Sequence, residues 1–169
     1  MKRSVKILVV CFSCIALISW DRETKDLAKE HLLNQAPQSY FHDTFRLEYV
    51  ENTGAALSLG DNLPPSVSFW LLGILPLAFL LLMFVYVIKK SAEMSFRKMF
   101  SFTLIIAGGL GNIIDRLIFD RHVTDFMNVG INNFRTGIFN FADVCVTTGV
   151  ICLLFFYNDK KAATKQSSV

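Results

Sequence analysis

Apolar positions along this chain come in long blocks instead of alternating with polar ones. Four blocks approach the roughly 20 helical residues needed to cross about 30 Å of hydrocarbon. They run from Ser4 to Trp20, Phe69 to Ile88, Met99 to about Phe119, and Ile138 to Tyr157. Residues 21–67, between the first two blocks, carry shorter patterns. Asp21 to Gln35 keeps Leu27, Ala28, Leu32 and Leu33 at helical spacing, which predicts a polar extension of the first helix or a surface helix. Phe45, Leu47 and Tyr49 alternate with Arg46 and Glu48, the period of a strand with one greasy face. Asn52-Thr53-Gly54 marks a turn, Ala55 to Leu59 is a candidate returning strand, and Pro64-Pro65 closes the excursion. An ordered connection of this length is usually functional. The predicted fold is an all-α membrane protein with a small β element, four transmembrane helices in a single domain over residues 1–169. No length is left for a separate soluble domain.

Composition supports this. With 53% apolar residues, 18% charged and a mean hydropathy of +0.43, an ordinary soluble domain is excluded. Met1-Lys2-Arg3 before the first block imitates a secretory signal peptide, but no small-x-small cleavage pattern follows it. A lipoprotein-type Leu8-Val9-Val10-Cys11 follows too few apolar residues to form a signal core, so a retained helix is expected. Basic residues set the orientation. Lys2, Arg3, Lys6, Lys89, Lys90, Arg97, Lys98, Lys160, Lys161 and Lys165 all fall on one side. Residues 21–67 hold four basic against eight acidic ones. Both termini are therefore expected in the cytoplasm, with the acidic segment and the connection around Asp125 outside. The net charge of +3 reflects that asymmetry and gives no indication of nucleic-acid binding.

Other features weigh less. Cys11, Cys14, Cys145 and Cys152 lie inside apolar blocks and read as small hydrophobes. Gly73 and Pro76 predict a kink and close packing in the second span. Ala107, Gly108, Gly109 and Gly111 in the third let helices approach closely, and no strand precedes them to make a nucleotide loop. Asn132 to Gly137 reads as a short polar turn, and the Lys- and Ser-containing tail as disordered.

The candidate chemistry lies at one end of the spans. The third block turns polar in Gly108-Gly109-Leu110-Gly111-Asn112-Ile113-Ile114-Asp115-Arg116. Val123-Thr124-Asp125-Phe126 follows, and Phe139-Asn140-Phe141-Ala142-Asp143 opens the fourth. Asp115 lies roughly 24 Å beyond Met99 at 1.5 Å per helical residue. Asn112 and Asp115 share a face, Asn140 and Asp143 sit in the first turns of the fourth span, and Asp21 and Lys25 end the first at the same level. Carboxylates beside hydrocarbon are costly and mark function by default. Two held close in a low-dielectric site tend to share a proton, which equips them to hydrolyse an amide without metal or covalent nucleophile. His31, His42 and His122 lack metal-ligand spacing, so no metal or cofactor is expected.

Bland alternatives stand beside each residue. Asp115-Arg116 reads more naturally as an ion pair pinning helices than as direct chemistry. Asn112 and Asn140 would serve as interhelical glue. Asp125 would be a solvated loop aspartate, and Asp21 would simply end a helix at the headgroups. Asp143 is harder to explain away, because it interrupts the start of a span.

At these motifs the chain resembles the lipoprotein signal peptidase (signal peptidase II) family of bacterial membrane aspartyl peptidases. The resemblance is carried by Asp21-Arg22-Glu23-Thr24-Lys25, Asn52-Thr53-Gly54-Ala55-Ala56-Leu57-Ser58, Gly108 to Arg116, Val123 to Phe126 and Phe139 to Asp143. It implies that Asp125 and Asp143 are the catalytic aspartates. It implies that Asp21, Lys25, Asn52, Gly54, Asn112, Asp115, Arg116 and Asn140 shape the site and hold substrate. It further implies four transmembrane helices with an extracytoplasmic β-cradle in the bacterial inner membrane. The substrates would be diacylglyceryl-modified prolipoproteins cut before the lipobox cysteine, and inhibition by globomycin-type peptides, contact with membrane lipid and a monomer are expected. The family usually has glutamine where Arg22 stands, an aromatic at Leu57 and valine at Thr124. Two further functions compete. A transporter or proton channel would need polar residues through the full membrane depth, and Leu80 to Val87 and Met99 to Ala107 carry no charge. A catalytically dead binder of lipidated peptides differs from the enzyme only in an activity assay.

Overall fold

The structure, a computed structural model, describes residues 3–54, 60 and 62–156. The candidate strand at Ala55–Leu59, with Leu57, and the tail with Lys160, Lys161 and Lys165 lie outside the described residues. Chain order is α1 (Arg3–Leu32), β1 (Gln38–Tyr40), β2 (Phe45–Asn52), α2 (Pro65–Lys90), α3 (Phe96–Ile118), β3 (Val123–Ile131), β4 (Phe134–Arg135) and α4 (Phe141–Phe156). Helices α1, α2 and α3 are long and apolar enough to cross a membrane, while α4 is apolar but has only 16 described residues.

Each helix has a local cause. α1 runs unbroken through Trp20 into the polar extension, so the two predicted pieces are one 30-residue helix. α2 begins at Pro65, where a missing amide donor costs nothing. It winds more widely over Phe69–Ile74, just before Pro76 deletes a further donor, so the predicted kink site is a π-type bulge. The predicted close packing at Gly73 is not found among the described residues, where a Cβ there would meet nothing within 4 Å. α3 is capped by Ser95, whose Oγ accepts the Lys98 N–H at 3.3 Å. It packs against each of the other three helices.

Here the small residues act as predicted. A Cβ on Gly108 would lie 2.3 Å from the Ala142 carbonyl oxygen, on Gly109 2.6 Å from Leu80 Cδ1, and on Gly111 2.7 Å from Asp21 Oδ2. At Gly108 this lets the two backbones touch, and at Gly109 and Gly111 it leaves the space to the side chains of Leu80 and Asp21. Away from the polar end, Val10, Cys14, Val87, Met94, Met99, Ile106 and Ala107 form an apolar core. All four cysteines are free, with Cys14 and Cys145 buried as small hydrophobes.

The four strands form an antiparallel sheet in sequence order. Leu47 and Tyr49 of β2 pack with Phe126 and Met127 of β3 on Ala28 and Leu32 of α1, confirming the greasy face. Leu27 and Leu33, predicted on the same stripe, are exposed. Two expectations need correction. The connection around Asp125 is the nine-residue strand β3, and the predicted polar turn after it contains β4. Val123, Thr124, Asp125 and Phe126 are all buried, so this stretch lacks the alternation that marks a half-exposed strand.

Candidate active site

The first turn of α4 organises the site. Asn140 precedes the helix, which starts at Phe141 and not at Ile138; Phe139 bridges to Met127 as an extension of the sheet. Asn140 Oδ1 accepts the Asp143 N–H at 3.0 Å, while Asp143 Oδ2 accepts the Asn140 N–H at 3.1 Å. This is a reciprocal capping box, built from Asn-x-x-Asp. The Ala142 N–H, another free donor at the helix start, bonds Asp21 Oδ1 at 2.8 Å. Asp143 is therefore oriented by its own helix terminus.

Asp125 is brought to the same place by the sheet. Its register partner is Val50, next to a bulge in which β2 carries one residue more than β3 between Leu47 and Val50. Asp125 Oδ2 accepts from Asn52 Nδ2 at 3.0 Å and Oδ1 from Asn140 Nδ2 at 2.7 Å. Asn52 is itself fixed, since its Oδ1 accepts the Gly54 N–H at 2.9 Å in an Asx turn. Asp125 is 4% exposed, and burial pushes its carboxyl up to about 6. The two amide donors act against that rise, and the charge of Asp143 adds to it.

Asn112 of α3 links the two aspartates. It donates Nδ2 to Asp143 Oδ1 at 2.8 Å, and its Oδ1 accepts from Asn140 Nδ2 and Lys25 Nζ, each at 3.0 Å. Lys25 is wholly buried, 2.7 Å from both Asp21 Oδ2 and Asp115 Oδ2. Arg116 donates to the Gly54 carbonyl at 2.6 Å and the Asn112 carbonyl at 3.3 Å. All ten residues singled out in the sequence thus join one connected polar network. The expected Asp115–Arg116 pair is the exception. Neighbours on a helix point apart, and the cations on Asp115 are Lys25 and Arg22, the latter at 3.0 Å. Asn112 and Asn140 do bond across helices, as glue would, and hold the aspartates as well.

A cavity of about 760 Å³ opens beside this network, and both Asp125 and Asp143 line it with Asn52, Asn112 and Arg116. Its remaining wall is mostly apolar, with Leu72, Phe79, Leu80, Ile105, Val144 and Val146 from α2, α3 and α4. Thr136, Gly137 and Ile138 also line it. Sequence reasoning missed these three, because only the fold brings the stretch before α4 over the aspartates. Such an arrangement offers two carboxyls, with fixed amide partners, to a ligand that is largely apolar.

A family model described as signal peptidase (SPase) II matches residues 13–158. Lipoprotein signal peptidases similar to this chain include one from Borrelia duttonii (strain Ly), 34% identical over 147 residues, 83% of this chain and 84% of that protein. One from Chlorobaculum parvum (strain DSM 263 / NCIMB 8327) is 41% identical over 130 residues, 70% of this chain and 74% of the relative. Among solved structures, a bacterial membrane enzyme superposes with a TM-score of 0.71 at 25% identity, covering 95% of this chain and 90% of that one. This likeness and the three apolar helices mark a membrane protein. Since the match runs from α1 into α4 and takes in every residue of the polar network, the chain belongs to the signal peptidase II family.

Proposed function

We propose that the chain is an aspartic endopeptidase that removes signal peptides from prolipoproteins, cutting before the cysteine that carries diacylglyceryl. The observation that carries this reading is that Asp125 and Asp143, from a strand and a helix start, line one mostly apolar cavity and are joined through Asn112 and Asn140. Acyl chains and an apolar signal helix match the wall formed by α2, α3 and α4.

In the proposed reaction, one carboxylate removes a proton from water as its oxygen attacks the scissile carbonyl carbon. The other carboxyl, protonated, donates to the carbonyl oxygen. The C–N bond of the resulting diol then breaks, the nitrogen leaving with the proton taken from water. The second carboxyl recovers its proton from a diol hydroxyl. A carboxyl held near pKa 6, as Asp125 is, exchanges protons readily near neutral pH. Asn52, Asn112 and Asn140 keep the pair in register, and Lys25 offsets the charge of Asp21 and Asp115.

The proposal includes four spans with both termini in the cytoplasm of a bacterium and the site at the outer face of the inner membrane. The small sheet would be the cradle above it. A site completed within one chain fits a monomer, and globomycin-type peptides would occupy the same cavity. The test is gel-shift cleavage of a diacylglyceryl-modified prolipoprotein by purified Asp125→Asn and Asp143→Asn. Each is expected to lose about 10²–10⁴-fold in turnover. Undiminished turnover in either variant removes that residue from the pair.

A further inference from the structure

The apolar wall of the cavity carries a polar pair that the proposed reaction does not use. Asp143, Val144, Thr147 and Thr148 line the cavity along one side of α4. On the opposite side Ala142, Cys145 and Gly149 are buried, and a Cβ on Gly149 would lie 2.7 Å from the Ser101 carbonyl oxygen of α3. Spacings of three and four keep each set on its own side of the helix. Thr147 stands one turn beyond Asp143, roughly 6 Å further from the polar end at 1.5 Å per residue. The wall that α2 contributes is Leu72, Pro76, Phe79 and Leu80, all apolar, and α3 adds Ile105 beside Gly149.

The two hydroxyls have no partner within the chain. In a spanning helix a hydroxyl commonly bonds the carbonyl one turn back. Ser101 does so to Arg97 at 3.0 Å and Thr103 to Met99 at 2.9 Å, both in α3. Among the described residues Thr147 and Thr148 make neither this bond nor any other hydrogen bond, and both are exposed where they line the cavity. A hydroxyl left unpaired beside hydrocarbon is unfavourable, so a ligand that brings an acceptor there gains by taking it up.

We propose that Thr147 and Thr148 form a carbonyl subsite, donating to a carbonyl oxygen of the substrate and so setting how far the lipid-bearing cysteine enters the cavity. This rests on the peptidase reading above. Two parts of such a substrate carry carbonyl oxygens near the scissile bond. The ester carbonyls of the diacylglyceryl group hang a few bonds from the cysteine sulfur. A backbone carbonyl of the signal peptide loses its own helical partner where the chain opens for attack. Both offer the same acceptor, whereas acyl tails and apolar side chains offer none.

The experiment measures kcat and KM of the full-length protein in detergent on two prolipoproteins. One carries diacylglyceryl and the other a dialkylglyceryl group, in which ethers replace both esters. The double variant Thr147→Val, Thr148→Val keeps the side-chain shape and loses both hydroxyls, while Thr147→Ser, Thr148→Ser keeps the hydroxyls and loses the methyls. On the diacyl substrate the valine variant should raise KM about 2–10-fold per hydroxyl engaged, the range of a neutral hydrogen bond, with kcat little changed and the serine variant near wild type. If the acceptor is an ester, the wild type shows the same rise on the dialkyl substrate and the valine variant adds nothing to it. If it is a backbone carbonyl, the wild type binds both substrates alike and the valine variant loses on both. A serine variant that loses as much as the valine one, or no loss in either, overturns the subsite and leaves the peptidase reading standing. A wild type that cuts neither substrate overturns that reading, and the subsite with it.

Discussion

The contact between α1 and α3 changes character along its length. At one end Val10 and Cys14 meet Ile106 and Ala107 in an apolar core, where any set of close-fitting side chains would serve. At the other, Asp21 and Lys25 meet Asn112 and Asp115, and each group depends on a particular partner. In hydrocarbon the apolar end gains little from burial as such, since separated helices are already in an apolar solvent, and its stability comes from packing. The polar end gains nothing from packing that an apolar substitute could not supply. What it supplies is position, because Asp21 holds the start of α4 and Asn112 holds Asp143.

The largest test of this contrast is Lys25→Met. It leaves Asp21 and Asp115 buried without the cation between them, and a buried pair broken on one side costs about 3–5 kcal/mol. Met99→Leu at the apolar end conserves volume and should cost less than about 1.5 kcal/mol. Unfolding in detergent, followed by the fluorescence of Trp20 and Trp70, reads both. Equal losses would abolish the distinction between the two ends.

The next effect depends on pH. Asp125 is raised from an ordinary 3.8 to about 6 in the fold, so the folded protein holds this proton more tightly than the unfolded chain does. Its contribution is fully present below about pH 4 and is lost as pH rises through about 6, a difference of about 3 kcal/mol. Asparagine does not titrate. The stability of Asp125→Asn relative to wild type should therefore climb by about 3 kcal/mol between about pH 4 and pH 8. A flat difference across that range would mean that Asp125 carries no burial penalty.

These two ends were not equally legible in the sequence. Long apolar blocks announce helices, and counting residues along α3 put Asn112 and Asp115 at the end where α1 brings Asp21 and Lys25. Convergence of Asp21, Lys25 and Asn112 followed from depth alone. β3 did not show itself, because a strand buried on both faces loses its period-2 alternation, so Asp125 passed for a loop residue. The sequence places Asn140 and Asp143 together in the first turns of the fourth span, whereas their spacing of three is that of a capping box whose first member precedes the helix. Arg46 and Arg135 line one cavity beside Asp125 only through pairing of strands far apart in the chain, which no local pattern encodes.

Glycines provide a smaller test. Gly108→Ala drives a Cβ to 2.3 Å from the Ala142 carbonyl oxygen, a backbone atom that cannot swing aside. It should cost about 1–3 kcal/mol and lower turnover, because the displaced segment carries Asp143. Gly73→Ala meets nothing within 4 Å among the described residues and should instead gain up to about 1 kcal/mol from helix propensity. Similar losses at both sites would show that α3 and α4 are not in the close contact described.

The smallest expected effect is at Arg22, where the family usually carries glutamine. Its guanidinium stands 4.8 Å over the Phe119 ring, donates to Asp26, and lies 3.0 Å from Asp115 Oδ1. Its side chain is 29% exposed, whereas Lys25, the other cation on Asp115, is wholly buried. Solvent screens the outer pair, and the inner one remains when Arg22 is removed. Arg22→Gln should therefore cost less than about 1 kcal/mol, with part of even that loss masked by salt. A loss approaching that of Lys25→Met would mean that Asp115 is neutralised from the surface of the protein and not from within, and the buried lysine would no longer be the centre of the polar end.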